Sequence, residues 1–225
     1  MTTQEKPPFY NDKHVSYITT LASKLDAKNS YEGAVTEHLR MSGIYWSVAA
    51  LSLLKSEKEV DELMGLSMSP LEETNRLSIV DWVFQCYDEK TGGFGGNVGH
   101  DAHLLYTLSA LQILAIANKL DDERLNKDKV ANFIACLQQP DGSFAGDEWG
   151  EIDTRFSYCA LSALSILGML HRRCNDGKRK KDNELIDVDL AAQYVASCRN
   201  FDGGFGCVPG AESHAGKYFA QIVHI

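Results

Sequence analysis

Three times in this chain a cysteine is followed by a glycine-aromatic turn, a short polar stretch and then an apolar run. The copies run from Cys86 through Gly92-Gly93-Phe94, from Cys136 through Gly142-Ser143-Phe144, and from Cys198 through Gly203-Gly204-Phe205. The phenylalanines lie 50 and 61 residues apart. A period of that size marks one supersecondary unit repeated, so the chain must fold as an array.

Each unit reads as helix, turn, helix. Before the turn the helix is one-sided: Val130, Phe133, Ile134 and Leu137 recur at helical spacing, as do Val188, Ala191, Tyr194, Val195 and Cys198. After the turn, Leu104 to Ala117 and Phe156 to Met169 are apolar or small nearly all round. Alternation of the two kinds predicts an outer and an inner layer, with both faces of the inner helices buried. His38 to Leu51 fits as an earlier inner helix, with His14 to Lys24 as its outer partner. Residues 55 to 75, with Pro70, read as a connection to a helix over Arg76–Cys86. Residues 171 to 187 read as a charged insertion, and its Lys178-Arg179-Lys180-Lys181 run as a solvated loop or a nuclear-localisation signal. The expected fold is all-α, a single domain over 1–225 forming an incomplete arc of about four helical hairpins.

Composition narrows the function. A formal charge of −9 opposes nucleic-acid binding, which needs a basic face. Hydrophobic content of 44% without a membrane-length apolar run predicts a soluble protein with no transmembrane segment. The first residues show no secretory pattern, so a cytoplasmic location is expected. There are six cysteines and no CxxC pair; Cys86, Cys136 and Cys198 are expected to be free, buried residues at one equivalent helical position.

Chemistry concentrates where the inner helices begin. Asp101-x-His103, Asp153-x-Arg155 and Glu212-x-His214 read as one equivalent place, with His38-x-Arg40 as a looser fourth copy. Acidic residues there cap free amides. Cations oppose the helix dipole, so several converging on one rim suit a strongly anionic group such as a diphosphate. The plainer alternative is an ion pair within each motif. Below the rim, Ser42, Tyr45, Tyr106, Leu108 and Tyr158 suit either an apolar pocket or an ordinary core.

The strings LRMSGIYW at 39–46, GHDAHLLYTLSALQIL at 99–114, DGSFAGDEWGEIDTRFS at 141–157 and NFDGGFGCVPGAESHAG at 200–216 resemble the β subunits of the protein prenyltransferases, α-α toroids of repeated hairpins. In particular they resemble the Rab geranylgeranyltransferase (type II) branch, from about residue 13 to Gly216. The resemblance implies transfer of a geranylgeranyl group from geranylgeranyl diphosphate to C-terminal cysteines of Rab GTPases. It implies a heterodimer with an α subunit, and an escort protein presenting the Rab. It assigns His214, Ala215, Gly216 and Arg155 to the diphosphate, and Ser42, Tyr45, Leu108 and Tyr158 to the isoprenoid tunnel, a small Ser42 leaving room for geranylgeranyl.

The same family uses zinc to activate the acceptor thiol. Its ligands are an Asp and a Cys in one D-x-C motif and a later His, beyond the segment matching Ser213 to Gly216. Here the chain diverges at Lys217, ends as KYFAQIVHI, and has no D-x-C after that point. The expectation is a truncated product, with Gly216-Lys217-Tyr218 encoded by an exon read through a splice donor, and no catalysis by this chain alone. The alternatives are a non-catalytic helical-array binding module and an unstable truncated isoform. A terpenoid cyclase would need a D-x-D-D motif and a thioester domain a GCGEQ-like segment; the sequence has neither.

Overall fold

The computed structural model describes residues 9–25, 30–65, 78–170 and 185–215. Its elements are helices: α1 (Asn11–Leu25), α2 (Tyr31–Val35), α3 (Arg40–Leu54), α4 (Glu57–Met64), α5 (Ile79–Gln85), α6 (Leu104–Ile116), α7 (Lys127–Cys136), α8 (Thr154–Ile166) and α9 (Val188–Ser197). Helices α3, α6 and α8 lie side by side in that order as an inner layer. On their outer side α1 lies on α3, α5 on α6, and both α7 and α9 on α8. The described residues thus form three outer–inner pairs, plus the outer helix and turn of a fourth.

Local chemistry sets the boundaries. Ser78, Asn126 and Asp187 each accept a backbone N–H from the first turn of α5, α7 and α9. Helices α6 and α8 stop on left-handed residues, Asn118 (φ 54°) and Gly168 (φ 68°). Lys119 N and Met169 N then reach back five residues to Leu114 O and Leu164 O, both at 2.8 Å, closing Schellman ends. One part of the expected connection is a helix instead. Ser56 and Glu59 form a capping box that starts α4, and Val60 and Met64 bury its apolar side. Pro70 and the Lys178–Lys181 run lie outside the described residues.

The turns weld the array. Isolated bridges Tyr87↔Phe94, Gln138↔Phe144 and Arg199↔Phe205 close each turn on its own helix end. Phe94 and Phe144 are fully buried and Phe205 nearly so. Each turn also docks on its neighbours. Gly142 (φ 90°) presses on the Leu190 carbonyl in the first turn of α9, leaving no room for a Cβ. Gly92, at the same φ, stands equally close to Lys129 O of α7. In the other direction, an N–H in the first turn of each inner helix bonds the following turn. Met41 N donates to Gly96 O (2.9 Å), Leu104 N to Gly146 O (2.7 Å) and Thr154 N to Cys207 O (2.9 Å). Helix-start amides that would otherwise be orphaned therefore hold one repeat to the next.

These bonds correct one reading. The carbonyls of Cys86, Leu137 and Cys198 play one role, accepting from Gly95, Ala145 and Gly206. Leu137, not Cys136, holds the buried position, and Cys136 is exposed. The first turn carries one more residue than the others, so counting back eight residues from each of the first two phenylalanines picks the wrong one. None of the five described cysteines is in a disulfide.

Candidate functional site

The same bonds fix how the inner helices align. His103 N donates to Phe94 O (3.0 Å) and His214 N to Phe205 O (3.1 Å). Ala145 pairs with Ile152 as Gly95 pairs with Ala102. The equivalent residues are therefore Arg40, His103, Asp153 and His214, each just ahead of the inter-repeat bond or its counterpart. Asp153-x-Arg155 is out of step by two residues with the other motifs. Its true counterpart is Glu151-x-Asp153, a register legible from the constant nine residues between each phenylalanine and its cap.

These four residues do not form a ring of bare cations; His103 and Asp153 cap their helices, whereas Arg40 is already the first helical residue of α3. His103 Nδ1 accepts from Leu105 N (3.1 Å), so the imidazole is neutral while it caps. It sits between Tyr106 and the edge of Phe156. Burial pushes its pKa down, against an upward pull from Asp147 and Glu151. Asp153 caps α8 the same way, accepting from Arg155 N (2.8 Å). Its other oxygen holds the Arg155 guanidinium at 3.0 Å, the intra-motif ion pair considered from sequence. That hydrogen bond raises the Arg155 pKa further. Arg40 lies over the Trp82 ring at 5.6 Å. His214 and Ala215 are exposed beside the third turn; Gly216 lies outside the described residues.

Counting from the caps shows what the inner helices present on the face turned away from the outer layer. Two residues in stand Ser42, Leu105 and Arg155; five in, Tyr45, Leu108 and Tyr158. Nine in stand Ala49, Gln112 and Ser162; thirteen in, Leu53, Ile116 and Ile166. Apart from Ser42 and Leu108, every one is half-buried or exposed, while the opposite side of α6 and α8 is buried; on α3 that side is buried at Val48 and Leu51 and half-buried at Ile44, Ser47 and Leu54. The inner helices are thus not covered all round, as their composition had suggested. The four rows form a wall about 16 Å deep at 1.5 Å per residue.

Two hydrogen bonds cross the α3–α6 seam of this wall. Ser42 Oγ and Ser109 Oγ are 3.2 Å apart, and Gln112 Nε2 donates to Tyr45 Oη at 2.9 Å. Burial, then the nearby Tyr158 phenol, raises the Tyr45 pKa. The structure thus brings Ser42, Tyr45, Leu108, Tyr158 and Arg155 onto one face of the inner layer, with Ser42 and Leu108 buried within it. Sequence reading missed Leu105, Gln112 and Ser162 on it, although all three follow from the helical period once the caps are aligned. Among the described residues no three of His, Cys, Asp and Glu stand close enough to hold a metal ion. Burial pushes the Cys86 and Cys159 thiols up to about 12, the reverse of what a zinc thiolate needs. The described residues do not fit the zinc that the resemblance implies.

A layered arc of hairpins with an open inner wall is the architecture of a known class. The model of the prenyltransferase alpha-alpha toroid domain matches residues 9–224, and the chain belongs to that family of transferases. It is 39% identical over 225 residues to the geranylgeranyl transferase type-2 subunit beta of Candida albicans, covering 95% of this chain and 56% of that protein. The Saccharomyces cerevisiae protein of the same name is 44% identical over 214 residues, with 94% and 56% covered. The chain thus spans just over half the length of these relatives. Among solved structures, Candida albicans protein geranylgeranyltransferase-I complexed with GGPP superposes with a TM-score of 0.60 at 18% identity, covering 81% of this chain and 47% of that one. That likeness shows the fold. No helix among the described residues is long and apolar enough to cross a membrane.

Proposed function

We propose that this chain is the isoprenoid-binding part of a type II geranylgeranyltransferase β subunit. The enzyme moves geranylgeranyl from its diphosphate to the C-terminal cysteines of Rab GTPases presented by an escort protein, in the cytoplasm and in company with an α subunit. The observation that carries this reading is the shared inner wall: Tyr45, Leu108 and Tyr158 at one depth, with Ser42 and Arg155 one row nearer the caps. An isoprenoid lying down the wall meets mostly aromatic and aliphatic surface, and its diphosphate end is assigned to Arg155 at the top of the wall and, by the family resemblance, to His214, Ala215 and Gly216. Arg155, the exposed member of its pair with the buried Asp153, serves by sharing its guanidinium between that carboxylate and phosphate oxygens.

The thiol-activating zinc of the family has no place in this account. The chain supplies the lipid wall and does not complete the transfer alone. Its activity is tested by incubating it with the α subunit, escort protein, a Rab and labelled geranylgeranyl diphosphate, with and without zinc. Lipid binding without turnover is the expected result; turnover by this chain refutes the division proposed here. A second reading, a non-catalytic binding module, is favoured by the exposed apolar residues Phe9, Tyr17, Trp46 and Leu53 at the N-terminal end of the arc. Capture of the α subunit with no affinity for the lipid diphosphate would select it.

A further inference from the structure

Gln112 and Ser162 are the polar residues in the lower half of the wall, where Leu53, Ile116 and Ile166 form the last row. Gln112 is the one that reaches across to α3. Its amide spans the seam between α6 and α3 and donates to the Tyr45 hydroxyl one row above, 67 residues earlier in the chain. Tyr45 is half-buried in the same row as the half-buried Tyr158. A phenol with a polar anchor at its tip cannot swing about χ1 without breaking the bond or taking Gln112 with it. Without the anchor, the ring can move between neighbouring rotamers and change the width of the wall at that depth.

From this geometry we infer that Gln112 is a positioning residue: it pins the Tyr45 phenol and so sets the bore of the isoprenoid channel between its second and third rows. The inference rests on the channel reading proposed above. A row is about one helical turn, ~5.4 Å, comparable to one isoprene unit. With the diphosphate at the first row, a fixed ring at the second row therefore acts on the isoprene units nearest the diphosphate, which farnesyl and geranylgeranyl share. Gln112 acts through Tyr45 and touches no reacting atom.

The test measures dissociation constants of farnesyl and geranylgeranyl diphosphates for the full chain and for Gln112→Leu, Tyr45→Phe, the double variant and Gln112→His. The expected result for Gln112→Leu is a loss of about five- to tenfold in affinity for both diphosphates, the worth of one part-buried hydrogen bond, with their ratio unchanged. Tyr45→Phe keeps the ring and removes only the hydroxyl, so it gives the same loss even where Gln112→Leu fails to fold. The double variant loses no more than either single one, because both remove the same bond. Gln112→His keeps a donor and restores the parent affinity. If the parent binds lipid and both single variants keep its affinity, the inference fails and the channel reading stands. If the parent binds neither diphosphate, both fall together.

Discussion

Thr107 and Ser157 stand at the same place, four residues after their caps, yet only one is fully employed. Thr107 Oγ1 accepts from Phe94 N (3.0 Å) and donates to His103 O (2.9 Å), tying the buried turn to its inner helix. Ser157 is equally buried, and its hydroxyl has no partner. Thr107→Ala should cost about 1–3 kcal/mol, because it strands the Phe94 amide, whereas Ser157→Ala should be neutral or slightly stabilising. Denaturant unfolding of the two variants checks the contrast. His103 gives a pH dependence with a defined sign. Its folded pKa lies below the ordinary histidine value, so the unfolded chain binds the proton more readily. Its contribution is complete above the unfolded pKa, near 6.5, and is lost as pH falls through that value toward the folded one. His103→Asp copies the cap used by Asp153 and should flatten the melting temperature between pH 7 and pH 5.5.

At the scale of the element, the turn is the unit on which the fold depends. Phe144→Ala should destabilise by about 3–5 kcal/mol, since the ring is fully buried at the junction of two repeats. Glycines separate backbone strain from packing. Gly150 has φ 86° and open space at its Cβ, while Gly142 has φ 90° and the Leu190 carbonyl against it. Gly150→Ala should lose only the left-handed penalty of about 1–2 kcal/mol. Gly142→Ala should lose more, because α9 must also move away, and hydrogen exchange in the first turn of α9 should report it. The inner and outer helices were legible in their composition, because one-sided and all-round apolar patterns are written within a dozen residues. The helix α4 was legible too, in Ser56-x-x-Glu59, but lay hidden among charged residues read as a connection.

For the whole molecule, the wall spans three helices far apart in the chain, so a ligand filling it stabilises them together. At a hundredfold excess over its dissociation constant, geranylgeranyl diphosphate should add about 2.7 kcal/mol. That corresponds to a rise of roughly 5–10 °C in melting temperature for a chain of this size. Arg155→Ala should weaken the diphosphate about tenfold and shrink that rise, measured from the variant's own ligand-free melting temperature. That starting temperature should itself fall, because Asp153 is buried and loses its cation. An equal rise in parent and variant would remove Arg155 from the diphosphate end.

By itself the sequence determined the repeat, its helix–turn–helix grammar, the two helix classes and which residues could cap them. These depend on contacts within a few residues, and period and capping chemistry record such contacts directly. Alignment of the repeats was decided in three dimensions. One extra residue in the first turn put Leu137 where Cys136 had been expected, and resemblance of side-chain type had misaligned Asp153-x-Arg155. Only the packing of α3 on α6 could pair Gln112 with Tyr45 or close Ser42 on Ser109. A hydrogen bond across 67 residues leaves no local pattern, since its geometry is set by how two helices lie together.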